Sequence, residues 1–216
     1  MDNIITRKGR AEDAQDFSSL VLLSAPTFLP SLFGSNTAEV MKNLFQQPGN
    51  LFSFEHSYFI EVNGKRAGMV LGYNWKQKQW GEMHTGLLLI KYLKWSFSAR
   101  FFDLLKVGNM LGKIGKNKYY LSNIAVYPKF RGLGLGKKLL FEIEREARKT
   151  GCNKIVLDVE VTNVRAIKLY ERLGYTIERR TPSFKISKET FEFFRMGSGL
   201  TGWLYFRSKR AIESVT

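Results

Sequence analysis

The 216-residue sequence predicts an α/β (α+β) domain. Three observations carry that expectation. Apolar runs of strand length alternate with segments whose apolar residues recur at helical spacing. The dipeptide Asn63-Gly64, which tolerates positive φ, joins two such runs as a tight hairpin. Finally, a strand, a glycine-rich turn and a helix follow one another without a gap from Tyr119 to Thr150.

Taken in order, Asn3 to Arg7 alternate as a short first strand, and Ala11-Glu12-Asp13 opens an amphipathic helix through Leu23, its acidic start suited to the helix dipole. Pro26, Pro30 and Gly34 break the chain. Asn36 offers an N-cap to a second helix over Thr37 to Gln46, which Pro48-Gly49 ends. Ser57 to Val62 and Lys65 to Tyr73 are the strands of the hairpin. Between Trp75 and Lys118 the pattern changes: Leu88, Tyr92, Trp95, Ala99, Phe102 and Leu105 fall three or four apart, as in an inserted helical hairpin that packs on the core and shows solvent a basic face, the alternative for its Lys and Arg positions being a membrane-surface helix. Tyr119 to Val126 is apolar enough for a buried strand, stopped by Pro128. Lys137 to Thr150 gathers Leu139, Leu140, Ile143 and Ala147 on one helical face, leaves Glu142, Glu144, Arg145 and Arg148 largely elsewhere, and stops at Gly151. Lys154 to Val161 is a strand, Asn163 caps a short helix through Leu173, and Tyr175 to Glu178 and Phe191 to Met196 are the last two strands. The expected organisation is one domain over residues 1–196 with a helical insertion at about 76–117, followed by a tail over 197–216 whose Trp203, Tyr205 and Phe206 either pack on the sheet or form a homodimer contact.

Composition narrows the function classes. Apolar residues at 44% and aromatics at 14% place the chain with ordered globular proteins. The most apolar stretch, Gly86 to Met110, is interrupted by Lys91, Lys94, Arg100, Asp103 and Lys106, short of the roughly 18 uncharged residues of a membrane span. The lone Cys152 forms no internal disulfide, and no secretory leader is legible, so a cytoplasmic location is expected. Cys152 reads as a small buried apolar residue rather than a nucleophile. One cysteine and two histidines without ligand spacing argue against a metal site. Thirty-four basic against nineteen acidic side chains give +15, which suits nucleic acid, an acidic surface or a polyanionic cofactor and cannot choose among them.

The chemistry concentrates at Arg131-Gly132-Leu133-Gly134-Leu135-Gly136-Lys137. A glycine turn between a strand and a helix start converges unpaired amides on one point, and the helix dipole adds partial positive charge, so the loop is an anion site. It is no P-loop, because no Gly-Lys-Ser/Thr ending supplies a magnesium ligand. Its Gly132-x-Gly134-x-Gly136 spacing also departs from the dinucleotide fingerprint.

With Arg131, Gly134 and Gly136 the loop resembles the pyrophosphate motif of the GNAT superfamily of N-acetyltransferases, and its surroundings are similar too. Leu121 to Pro128 looks like the strand before that loop, with an Asn-Ile-Ala-Val run at 123–126 like that of the ribosomal-protein alanine acetyltransferases; Asn163 to Tyr175 looks like the second conserved segment. The resemblance implies a mixed, mostly antiparallel sheet of about seven strands, splayed between strands four and five, with helices on both faces. It implies acetyl-CoA as co-substrate, its acetyl group passing to a primary amine by direct attack in a ternary complex, with coenzyme A released as the thiol. Ile124, Ala125 and Val126 would meet the pantetheine arm, with Asn163 beside it, Arg131 through Lys137 would hold the pyrophosphate, and Tyr170 would stand at the coenzyme A sulfur.

Direct attack on a thioester requires a neutral amine and a proton for the leaving thiolate. Tyr170 matches the family's acid, and a phenol is protonated at neutral pH. For the base, Asp158 and Glu160 alternate on one face of the fifth strand, Asp158 at the position where alanine acetyltransferases carry glutamate; bulk water is the alternative. Tyr120 stands where histone-type members carry theirs. Two other classes compete with catalysis: a regulatory module that binds coenzyme A without turnover, and a basic nucleic-acid adaptor. The positive charge disfavours polyamines and favours neutral or acidic acceptors, protein N-termini among them.

Overall fold

The computed structural model describes residues 2–200. Its strands are β1 (Ile4–Lys8), β2 (Ser57–Val62), β3 (Lys65–Asn74), β4 (Lys118–Val126), β5 (Lys154–Glu160), β6 (Thr176–Arg180), β7 (Phe184–Ile186), β8 (Glu189–Phe191) and β9 (Phe193–Gly199). Seven of them form one sheet in the order β1-β2-β3-β4-β5-β9-β6, antiparallel except for the β4/β5 pair. The β2–β3 hairpin turns at Asn63 and Gly64, with φ of 51° and 74°, as the dipeptide requires.

Two apolar layers sandwich the sheet. On one side pack α1 (Ala14–Ser24), α2 (Phe28–Phe33) and α3 (Thr37–Gln46), where Phe17 and Phe45 stack at 4.2 Å between ring centres. On the other, α6 (Leu135–Lys149) buries Leu139, Leu140, Ile143 and Ala147 as the periodicity predicts. Its end is a Schellman closure: the Gly151 and Cys152 amides donate to Arg148 and Ala147 carbonyls, with Gly151 at φ +74°. Glu144 departs from the expected polar face, because it stands one turn from Leu140 and is 4% exposed; burial, partly offset by Arg148, pushes its carboxyl up to about 7. At the β1 edge Asp13 is buried between Arg7 and Arg66. Burial opposes its ionisation, yet the Arg7 hydrogen bonds, the Arg10 amide and Arg66 together hold it down at about 2.

Several local readings are corrected. The segment read as a break contains α2, because Pro30 sits in its first turn, where the missing N–H costs no helical bond. Asn36 precedes α3 without a side-chain cap. Phe184–Ile186 and Glu189–Phe191 form an extra hairpin between β6 and β9. β9 continues through Gly199, past the Met196 boundary, by pairing Gly197 and Gly199 with Val156 and Lys154. The insertion is α4 (Trp75–Leu93) and α5 (Ser96–Met110), broken at Lys94 with φ +49°, so the apolar row read across both helices is not one face. Leu88, Leu89 and Leu93 go to the core, whereas Trp95, Phe102 and Leu105 face outward, and the outward face is apolar rather than simply basic. Trp203, Tyr205 and Phe206 lie outside the described residues.

Candidate active site

The parallel register of β4 and β5 runs only from Lys118↔Lys154 to Leu121↔Leu157. Beyond it the strands diverge. Ser122 is an extra residue on β4, since Leu71 pairs with Asn123 and Gly72 with Leu121, and such a bulge bends a strand. Past it Ile124, Ala125 and Val126 pair with β3 on one side and, among the described residues, with no strand on the other. That open edge borders a cavity of about 950 Å³ extending from the glycine loop to α4 and α5.

At one end the loop is a backbone construction. Gly132 and Gly134 have φ of 88° and 70°, in the left-handed region where a side chain is strained. Gly134 is the N-cap of α6, so the helix's first amides are presented at the cavity. Gly136 lacks positive φ; a Cβ there would meet Leu169 Cδ2 at 3.5 Å, ordinary contact, so its glycine is not demanded by the fold. Arg131 donates from Nε to the Val126 carbonyl at 3.3 Å, tying the loop to the strand end. Lys137 stands in the first helical turn, its Nζ 5.5 Å from the Phe141 ring centre. Leu133 is the exception among the expected loop contacts, being exposed while its neighbours line the cavity.

The opposite wall is β5 and α7 (Val164–Arg172). Asn163 caps α7, its Oδ1 accepting from the Ala166 amide at 3.2 Å, and also lines the cavity. Tyr170 lines the cavity at 5% exposure, with its ring 5.7 Å from that of Tyr175. Burial raises its phenol above the usual value, so the proton stays on Oη at neutral pH.

Asp158 is 2% exposed at the side chain, and both of its oxygens accept hydrogen bonds. Arg195 on β9 gives Nε to Oδ1 at 2.8 Å and Nη2 to Oδ2 at 2.5 Å; the Tyr120 hydroxyl and the Gly112 amide give Oδ2 bonds of 3.1 and 2.9 Å. Arg195 Nη1 also donates to the Lys113 carbonyl, and Arg179 Nη2 to that of Met110 at 3.2 Å, so this cluster fastens the exit of α5 to the sheet. Glu160 differs: Thr162 Oγ1 donates to its Oε1 at 2.9 Å, and among the described residues Oε2 has no partner.

The α4/α5 end was not decoded by sequence. Lys78 and Glu82, a turn apart on α4, form an ion pair at the cavity wall, and burial followed by Arg195 and Lys113 lowers the Lys78 ammonium. Tyr73 and Tyr120 pack at 5.6 Å, and Leu29, Phe33 and Leu51 add an apolar side. The i,i+4 spacing of Lys78 and Glu82 was visible, but not that it turned inward. His56 and Cys152 lie in other surroundings, and among the described residues no cluster of metal-ligating side chains occurs.

The sheet opens between two parallel strands, with a helix N-terminus at one end of the gap and Tyr170 across it, the layout of an α/β fold with its cleft where the strands diverge. The chain belongs to the acetyltransferase (GNAT) family, whose sequence model matches residues 27–175. It is 37% identical over 79 residues to an uncharacterized N-acetyltransferase of Methanocaldococcus jannaschii, covering 36% of this chain and 51% of that protein. The chain spans about half or less of the length of the curated relatives it matches. By structure it is similar to a putative acetyltransferase of Salmonella typhimurium solved with its cofactor acetyl-CoA, with TM-score 0.58, 16% identity and coverage of 91% and 94% of the two chains. It is similar as well to the ribosomal-protein-S18-alanine N-acetyltransferase of Escherichia coli, with TM-score 0.51, 17% identity and coverage of 93% and 94%.

Proposed function

We propose that this protein binds acetyl-CoA along the open edge of β4 and transfers its acetyl group to a primary amine within one ternary complex. The observation that carries this reading is the single cavity that joins the glycine loop, the β4 edge and Tyr170. The groups present suit such a ligand. Converging amides at Gly134 and the cations Arg131 and Lys137 match a pyrophosphate, and an unpaired strand edge matches the amide-bearing pantetheine arm.

Acetyl-CoA supplies an activated acetyl group; the rest is the work of this chain's residues. The β4 edge and the glycine loop hold and orient. Tyr170 keeps a proton at Oη beside the cavity, available to a departing thiolate. Glu160, with an oxygen free, takes the base role, because the acceptor positions of Asp158 are occupied by guanidinium, hydroxyl and amide. Asp158 is then a positioning residue. The acceptor enters between α2 and the inserted helices, where Leu29 and Phe33 suit an apolar neighbour and the Lys78–Glu82 pair marks the entrance. Protein N-termini, lysines and small amines all remain within that description, and the overall positive charge disfavours polyamines.

The test is turnover of acetyl-CoA against an amine panel. Tyr170→Phe is expected to lower kcat by about 10²-fold or more while leaving coenzyme affinity unchanged, with a smaller loss in Glu160→Gln. An unchanged rate in Tyr170→Phe overturns the acid assignment, and coenzyme binding without thiol release on any amine overturns the transferase reading.

A further inference from the structure

The inserted helices have two faces, and only the inner one is explained by the cleft. On α4 the outward residues Trp80, Met83, Leu87 and Ile90 recur at intervals of three, four and three and are 81%, 74%, 60% and 50% exposed. At the α4/α5 junction Trp95 is 96% exposed, and Phe102 follows at 78% on α5. A row of large apolar side chains left in water along a helix marks an interaction surface rather than ordinary scatter.

The charges say what covers it. Lys76 and Lys91 are exposed and fall within the same helical arc as the apolar row, and Lys94 is exposed at the residue that ends α4, whereas the one acidic residue of α4, Glu82, stands on the cleft side beside Lys78. The apolar spacing alone also fits self-pairing with a second copy. Antiparallel pairing centred on the row sets Lys76 against Lys94, parallel pairing sets each lysine beside its own copy, and neither arrangement brings an acid opposite. Both copies also carry +15. A surface that is itself anionic and accepts tryptophan and leucine side chains removes the repulsion, and lysine stems can lie along the apolar row while their ammonium groups reach headgroups. No helix among the described residues is long and apolar enough to cross a membrane, so the contact is one of lying on the surface.

We propose that the outward face of α4, with Trp95 and Phe102 beside it, docks on an anionic lipid bilayer. The face is built by the same helix that turns Lys78 and Glu82 into the cavity, so docking sets the acceptor entrance near the bilayer.

The experiment is co-sedimentation of the full chain with vesicles of phosphatidylcholine alone and of phosphatidylcholine mixed with phosphatidylserine, at low and physiological salt. Binding is expected to the mixed vesicles only and to weaken with salt. The triple variant Lys76→Glu, Lys91→Glu, Lys94→Glu is expected to bind on the order of a hundredfold more weakly, and Trp80→Ser with Leu87→Ser at least about tenfold more weakly. Thermal unfolding of each variant controls for folding. Should the serine pair be destabilised, the lysine triple, which changes only exposed side chains, decides alone. Absence of binding to mixed vesicles overturns the proposal, as does binding unaffected by the lysine reversals. A dimer that the serine pair splits into monomers, without vesicle binding in the parent protein, overturns it in favour of self-pairing. Because vesicle binding is read without turnover, its failure leaves the acetyl-transfer reading standing.

Discussion

At the glycine-loop end of the cleft, the groups facing the cavity are backbone amides and positive-φ glycines drawn from residues 131–137. At the insertion end they are side chains brought in from α2, α4, β3, β4 and β5, held by Asp158 and Arg195 across 37 positions of sequence. The first end is a local solution: its shape follows from a strand, a turn and a helix start. The second is a tertiary one, and its shape depends on a buried ion pair and on where two inserted helices are fastened. Disturbing backbone angles should therefore act on coenzyme binding, and disturbing the ion pair on stability and acceptor handling.

The sharpest way to break that contrast is Asp158→Ala. It leaves the Arg195 guanidinium, 12% exposed, without its counter-charge, and frees the Gly112 amide. Removing one partner of a buried pair costs about 3–5 kcal/mol, read by denaturant unfolding. In the surviving folded fraction, acceptor KM is expected to rise while the coenzyme dissociation constant stays put, because the glycine loop does not touch this cluster. Equal loss at both substrates refutes the division into two ends. Replacing Asp158 and Arg195 together with apolar residues should recover part of the stability, since the unpaired charge is gone.

A contrast of glycines comes next in size. Gly134→Ala forces a side chain into left-handed backbone, costing roughly 1–2 kcal/mol of stability; when the free loop relaxes out of that conformation, binding has to restore it, and at about 1.4 kcal/mol per decade coenzyme affinity falls by up to about tenfold by calorimetry. Gly136→Ala meets only ordinary contact with Leu169 in the free protein and should change stability by less than about 0.5 kcal/mol. If Gly136→Ala nonetheless weakens coenzyme binding as Gly134→Ala does, close approach of the ligand, rather than backbone conformation, is what that glycine serves.

The same local-versus-tertiary split separates what was legible in the sequence from what was not. The β4 strand, the loop, the α6 helix with its Gly151 stop and the Asn163 cap were all readable, because each is decided within a dozen neighbours by periodicity, positive φ or a capping side chain. Residues whose state depends on distant partners were not. Asp158 read as a base candidate sharing one strand face with Glu160, and nothing near it in sequence announced Arg195. Glu144 sat on the nominally polar arc of α6 and is buried. Pro30 looked like a breaker and opens a helix, because the penalty for proline vanishes in the first turn. On α4 the apolar pattern has two solutions, an inner row and an outer one, and periodicity alone could not tell which row meets the core.

Asn163 is where the two kinds of information meet, and it carries the smallest effect. Its Oδ1 caps α7, the helix that holds Tyr170, and it also borders the cavity. Asn163→Ala should lower stability by about 1 kcal/mol through the lost cap, and Asn163→Ser, which keeps a capping oxygen on a shorter side chain, should restore most of that. Coenzyme affinity then separates the two roles. If Ser restores affinity along with stability, Asn163 acts only by fixing the start of α7 and hence the position of Tyr170. If Ser restores stability alone, the longer amide reaches the bound pantetheine arm, and a residue readable as a cap serves the ligand as well.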